Sequence, residues 1–315
     1  MNAAKSSTAT ATTDTADAPG RGGRAAGYVG RFAPSPTGDL HLGSLYTAAA
    51  SFLDARANGG TWLVRVEDLD GPRVVPGSAD GILRTLSRFG FEWDGDVVHQ
   101  SHRGDRYAAA LDILRARGLT FQCSCSRLQL AEDDRYPGHC RQGPLRPNAP
   151  SATRVRVDQA TIQFTDRIQG TFRQDVAAAV GDMLVRRRDQ LFAYVLAVVV
   201  DDAAQGVTQV VRGADLLDNT PRQIHLQQLL GLKAPDYAHV PLLMEGDGKK
   251  LAKSRRSVQL DGGTPLPLLI KVFDLLDLSP PPELGLATIP EAWGWATAKW
   301  NIDRVPKRLT SHLER

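Results

Sequence analysis

The chain has 315 residues, enough to bury a full core as one large domain with an insertion or as two domains. Hydrophobic residues make up 42% and charged residues 23%, ordinary values for a soluble protein, and no apolar run approaches a membrane span. The net charge is +3 and the pI about 8.8, a mild basic excess that permits a nucleic-acid partner without requiring one.

Residues 1–26 are rich in Ala, Thr, Ser and Gly with almost no large apolar side chains. They cannot bury enough surface to offset ordering entropy, so a disordered tail is expected, and they lack the apolar core of a signal peptide. A short strand is expected over 28–33. It runs into the segment Arg31-Phe32-Ala33-Pro34-Ser35-Pro36-Thr37-Gly38-Asp39-Leu40-His41-Leu42-Gly43-Ser44, followed by a helical stretch over 45–57. Strand, tight loop and helix start form the arrangement in which backbone N–H groups and a helix dipole face a phosphate. Gly38 and Gly43 allow close approach of a nucleotide, and His41 stands where its imidazole can donate to phosphate oxygens.

A buried strand is predicted over 61–66, ending in the acidic turn Glu67-Asp68-Leu69-Asp70. Helical patterns follow over 78–89 and 105–117. Alternation of strand and helix predicts an α/β fold, a Rossmann-like parallel sheet with helices on both faces. Ligands of such sheets bind at the carboxyl ends of the strands, where Arg31 and Glu67 fall. Regularity breaks over 120–150 and resumes over 194–201 and 207–212, the pattern of a nucleotide-binding fold split by an insertion. The run 191–200 is apolar but suits only a buried strand or helix. Further on come a strand-like stretch over 239–244 and the basic loop Asp247-Gly248-Lys249-Lys250-Leu251-Ala252-Lys253-Ser254-Arg255-Arg256. A helix over 267–276 follows, and 279–315 reads as one or two short irregular helices. No internal repeat is present.

All three cysteines, Cys123, Cys125 and Cys140, lie in the irregular stretch. An odd, clustered set argues against a disulfide framework and for a reducing compartment, hence a cytoplasmic enzyme. Thiolates so crowded suit zinc; the ordinary alternative is a set of buried, inert thiols. A fourth ligand is needed. Imidazole chemistry favours His139, although its adjacency to Cys140 is awkward for two corners of one tetrahedron.

The segment 31–44 resembles the HIGH motif of class I aminoacyl-tRNA synthetases in the long form typical of the glutamyl branch. Lys250-Leu251-Ala252-Lys253-Ser254 resembles the KMSKS motif, with Ala252 where the family has Ser. Val211-Arg212-Gly213-Ala214-Asp215-Leu216-Leu217 and Asn219-Thr220-Pro221-Arg222-Gln223 also resemble that branch, so the likeness runs over about 28–260.

This resemblance implies glutamate held by Arg31, Ser35, Glu67, Tyr194 and Arg212. The arginines suit two carboxylates because guanidinium binds carboxylate in a fork, and Glu67 suits the ammonium. It implies ATP held by His41, Gly43, Ser44, Lys250 and Lys253, with Mg²⁺ carried on phosphate oxygens. His41 and Lys253 are the catalytic candidates, and Tyr136 is the implied fourth ligand beside Cys123, Cys125 and Cys140 of one structural zinc. Read singly, each of these arginines is as ordinary as a surface ion pair, Tyr194 as core packing, and the acidic and basic turns as solvated faces.

The expected organisation is a catalytic domain over 27–104 and 194–232, a tRNA-contacting insertion over 105–193 with zinc at 123–140, and a stem-contact region over 233–315. Only about sixty residues follow Lys253, too few for the anticodon-binding domain of full-length glutamyl enzymes. The truncated branch of the family, which attaches glutamate to queuosine in the anticodon loop of tRNA(Asp), is therefore the expected relative, with a monomer implied. RNA contact would use basic runs such as Arg186-Arg187-Arg188 and Arg255-Arg256. The rival expectations are a minimal glutamyl-tRNA(Glu) synthetase, a glutamate-activating ligase with a small-molecule acceptor, and a non-catalytic RNA-binding module.

Overall fold

A computed structural model describes residues 27–126, 128–130, 135–244, 260 and 264–312. The tail at 1–26 and the basic loop carrying Lys250 and Lys253 lie outside the described residues.

The central sheet is parallel. β1 (Val29–Phe32) pairs with β2 (Thr61–Val66), and β2 pairs with the short β3 (Val98–His99). β9 (Gln209–Gly213) pairs in parallel with β10 (Asp236–Val240). β9 is fastened to β1 through Thr208, whose amide donates to Val29 O at 2.9 Å and whose hydroxyl accepts from Val29 N at 2.9 Å. The order is thus β10-β9-β1-β2-β3, and the switch between the first and second halves of the chain falls between β9 and β1.

Alternation along the strands sorts side chains to two faces. Phe32, Trp62, Val64, Val211 and Ala238 enter one core with α1 (Leu42–Ala57), α2 (Ser78–Arg88), α7 (Pro265–Leu275) and α8 (Ile289–Lys299). Val210 and Tyr237 enter the other with α3 (Gly104–Ala116), α5 (Tyr194–Ala204) and α6 (Thr220–Leu230). Helices therefore cover both faces. α1 buries residues on nearly every side, and its run Ala48-Ala49-Ala50 allows close approach to neighbouring elements.

Between α3 and α5 lies an antiparallel unit. β4 (Thr120–Cys123), β5 (Ala152–Val155) and β8 (Met183–Arg186) form a three-stranded sheet, and β6 (Thr161–Asp166) with β7 (Gly170–Asp175) forms a hairpin ahead of the one-turn α4 (Val176–Ala179). The hairpin is tied to β10: Arg167 N donates to Tyr237 O at 2.9 Å, and Gln169 Nε2 to His239 O at 2.8 Å.

Three expectations need correction. α1 begins at Leu42 and not at 45, because His41 caps it. The single strand expected over 239–244 is two, β10 and β11 (Leu242–Met244), interrupted at Pro241, which has no N–H for a ladder. The end of the chain is more regular than expected. α8 starts with a reciprocal cap between Thr288 and Glu291, and β12 (Thr310–His312) pairs in parallel with β11. Trp293 joins Phe52, Phe91 and Phe273 in an aromatic cluster and donates Nε1–H to Phe89 O at 2.9 Å. Trp300 Nε1 donates to Asp54 at 3.0 Å. Among the described residues no helix is long and apolar enough to cross a membrane.

Candidate active site

A cleft of about 450 Å³ opens at the carboxyl ends of β1, β2 and β9, at the switch point of the sheet. Arg31, Ser35, His41, Gly43, Ser44, Glu67, Tyr194 and Arg212, gathered from four separate stretches of sequence, all line it. The loop from β1 to α1 forms one wall. Its turn needs Gly38, whose φ of 135° disfavours a side chain. Glu67 N donates to Pro34 O at 2.9 Å, which holds the end of β2 against that loop.

His41 does more locally than the sequence suggested. Its Nδ1 accepts the Ser44 N–H at 3.2 Å as the N-cap of α1. The neutral tautomer that fits this bond carries its proton on Nε2, and the Ser44 amide is occupied by the cap.

Beneath the cleft runs a buried charge cluster. Arg31 Nε donates to Asp202 Oδ1 at 3.3 Å. The wholly buried Arg65 reaches Asp202 at 2.8 Å and Glu67 at 3.3 Å, and donates to Gln205 Oε1 at 2.8 Å. Burial raises the Glu67 carboxyl above the ordinary 4.5, against the pull of Arg65 and Arg31. Burial also acts to raise Asp202, but Arg31 and Arg65 outweigh it and hold that carboxyl below 3.8.

Across the cleft, Arg212 Nε donates to His239 Nε2 at 3.0 Å and Nη2 to Thr220 Oγ1 at 2.8 Å. His239 Nδ1 lies 2.6 Å from Asp166 Oδ2, and Asp166 Oδ1 accepts the amides of Ile168, Gln169 and His239. Burial lowers the His239 pKa, which keeps the imidazole neutral. Among the described residues Arg212 Nη1 is buried without a hydrogen-bond partner. An unpartnered, buried guanidinium donor on a residue that lines the cleft is chemically suited to an anion. Tyr194 stands at the mouth, 37% exposed.

Sequence reading missed Arg65, Asp202, Thr220, His239 and Asp166. The available signal was a charge inside an apolar run: Arg65 within Trp62-Leu63-Val64-Arg65-Val66, and Asp201-Asp202 ending an apolar helix.

The cysteine sulfurs of Cys123, Cys125 and Cys140 lie within 4.8 Å of one another, all buried. Tyr136 is buried beside them and its hydroxyl accepts the Cys140 N–H at 3.0 Å, whereas His139 is exposed. The Arg154 guanidinium lies 3.8 Å over the Tyr136 ring. Burial, reinforced by Cys140 and Cys123, pushes the Cys125 thiol up to about 12. Burial also raises Cys140, but the amides of Leu145 and Ser124 donate to its sulfur and bring it to about 7. Three close, buried sulfurs are soft-metal donors, and with the Tyr136 hydroxyl beside Cys140 these residues fit zinc.

The model of the class I tRNA synthetases (E and Q), catalytic domain, matches residues 28–263. The chain belongs to this family. It is 54% identical over 284 residues to the glutamyl-Q tRNA(Asp) synthetase of Ectopseudomonas mendocina, covering 90% of this chain and 96% of that protein. It is 52% identical over 290 residues to the protein of the same name from Pseudomonas aeruginosa, covering 91% and 98%. Among solved structures, glutamate-tRNA synthetase from Elizabethkingia anophelis superposes with a TM-score of 0.77 at 23% identity, covering 91% of this chain and 68% of that one. The fold of the family is thus the fold described above, with the cleft at its switch point.

Proposed function

We propose that this class I synthetase activates L-glutamate with ATP and transfers the glutamyl group to queuosine in the anticodon loop of tRNA(Asp). The observation that carries the first half is the open, buried Nη1 of Arg212 in a cleft that also holds Arg31 and Glu67. The acceptor follows from the relatives, 52–54% identical over nearly their whole length, which bear the name glutamyl-Q tRNA(Asp) synthetase.

In this reading Arg31 and Arg212 take the two carboxylates, Glu67 takes the α-ammonium, and Ser35 and Tyr194 donate hydroxyls from the rim. His41, through its Nε2–H, the backbone of Gly43 and the Ser44 hydroxyl hold phosphates of ATP at the head of α1. An oxygen of the α-carboxylate attacks the α-phosphorus and the bond to the β-phosphate oxygen breaks, giving glutamyl-adenylate and pyrophosphate. Adenylyl transfer depends on positioning and charge neutralisation. Lys253, assisted by Lys250, neutralises the leaving pyrophosphate. Mg²⁺ bound with ATP would supply further charge neutralisation on the phosphates. A queuosine ring hydroxyl then attacks the acyl carbon and AMP leaves. Cys123, Cys125, Tyr136 and Cys140 hold one structural zinc, and the unit over 105–193 together with 233–315 contacts the RNA. The enzyme works as a monomer in the cytoplasm.

The test is transfer of labelled glutamate to queuosine-containing tRNA(Asp), the same tRNA without queuosine, and unmodified tRNA(Glu). Label on the first alone is expected. Label on tRNA(Glu) makes the chain a minimal glutamyl-tRNA synthetase. Label on none, with ATP–pyrophosphate exchange intact, points to a small-molecule acceptor.

A further inference from the structure

The open face of Arg212 is only useful if the guanidinium is held still, and what holds it is built from two distant parts of the chain. Arg212 comes from β9, His239 from β10 and Asp166 from the end of β6, and all three are at least 96% buried, as their exposures of 4%, 0% and 1% show. The bonds run in one direction. Arg212 Nε–H needs an acceptor, and His239 Nε2 at 3.0 Å accepts only when it carries no proton. The imidazole proton must then sit on Nδ1, where Asp166 Oδ2 receives it at 2.6 Å. Asp166 in turn is fixed by three backbone amides on its other oxygen. Thr220 completes the cradle, accepting from Arg212 Nη2 and donating to Leu216 O at 3.1 Å. With Nε and Nη2 committed, Nη1 is the guanidinium nitrogen left without a partner among the described residues.

We propose that Asp166 and His239 are positioning residues for the amino-acid substrate: they fix the tautomer that locks Arg212 with one guanidinium edge presented to a carboxylate. This rests on the reading of Arg212 as a carboxylate receptor. The carboxylate of Asp166, in the hairpin outside the parallel sheet, therefore bears on glutamate affinity without touching glutamate.

The decisive variant is Asp166→Asn. The backbone amides demand an oxygen, so the Asn amide nitrogen turns toward His239 and donates to Nδ1. That forces the imidazole proton onto Nε2, donor against donor with Arg212, a tautomer inversion of known consequence in catalytic triads. ATP–pyrophosphate exchange is measured against glutamate and against ATP. The expected result is a glutamate KM raised roughly 10-fold or more, the scale for losing a hydrogen bond to a charged group, with the ATP KM within about 2-fold. His239→Leu raises the glutamate KM similarly, and His239→Gln, whose Oε1 can accept from Arg212, recovers most of that loss. In an Arg212→Ala background Asp166→Asn has no further effect on glutamate KM, as expected for residues acting through one group.

A wild-type glutamate KM in both Asp166→Asn and His239→Leu, with Arg212→Ala strongly impaired, overturns the positioning role and leaves the receptor reading standing. A wild-type glutamate KM in Arg212→Ala overturns the receptor reading itself. If Asp166→Asn lowers the melting temperature enough to prevent kinetics, the His239→Leu and His239→Gln pair decides alone: no recovery in the Gln variant overturns the proposal.

Discussion

Replacing Arg65 with Met separates the charge cluster under the cleft from its central cation while keeping the volume of the side chain. Arg65 is wholly buried and reaches Asp202, Glu67 and Gln205. Without it Asp202 retains Arg31 at 3.3 Å, while the Glu67 carboxylate loses its hydrogen-bonded cation. Breaking a buried ion pair from one side costs about 3–5 kcal/mol, because the remaining charge stays out of water. A loss of that size lowers the thermal midpoint at pH 7.5 by roughly 5–8 °C for a chain of this length.

The loss should also depend on pH, and the sign follows from the shifts. Asp202 is held below 3.8 in the folded protein, so it adds stability that is full above that value and disappears as pH falls through its native pKa. In the variant Asp202 loses the Arg65 support, and Glu67, already raised by burial, rises further and protonates readily. The stranded Glu67 charge can then be neutralised, whereas Asp202 keeps Arg31, so the destabilisation at about pH 5 should be smaller than at pH 7.5 by about 1 kcal/mol, less than one pKa unit's worth of free energy. Unfolding in urea at the two pH values measures this. A loss under about 1 kcal/mol, or one that is equal at both pH values, refutes the view that Arg65 acts by charge.

Three further outcomes are expected. Glu67 carries a pKa above the ordinary 4.5, so glutamate KM should rise as pH falls through that raised value while ATP KM does not. Glu67→Gln should flatten this limb at a glutamate KM roughly 10-fold or more higher throughout, as exchange kinetics between about pH 5 and 8 will show. Metal analysis should find about one zinc per chain, less in Cys140→Ser and in Tyr136→Phe, and an unchanged content in His139→Ala; zinc lost on changing His139 contradicts the ligand set. Lys253→Ala should slow pyrophosphate exchange by about two orders of magnitude or more, the scale for removing a charge partner of the transition state.

What could be read from the sequence was local. The loop 31–44 announces itself because strand end, glycine turn, cap and helix start are contiguous, and Arg31, Glu67 and Arg212 each close a strand, so one rule about strand ends places them on one rim. The three cysteines were legible as a cluster for the same reason. What could not be read is who holds these residues. Arg31 meets Asp202 across 171 positions, and His239 meets Asp166 across 73. No period or spacing encodes such pairs; only the folded sheet brings them together. The tryptophans near the end of the chain were opaque on the same ground, since the partner of Trp300 is 246 residues away.

The antiparallel unit between α3 and α5 looks like an addition to the parallel sheet, yet two adjacent residues of it are fastened into the catalytic half. Asp166 holds His239 and through it Arg212. Arg167 forms a fork with Asp54 of α1, at 2.6 and 3.1 Å, and Asp54 also receives the Tyr28 hydroxyl and the Trp300 indole. One β-turn therefore connects β10, which supports Arg212, with α1, whose first turn lines the cleft. A buried carboxylate serving three donors tolerates displacement poorly, because each donor it loses stays desolvated. The hairpin thus touches two supports of the cleft, the Arg212 cradle and the helix behind the 31–44 loop.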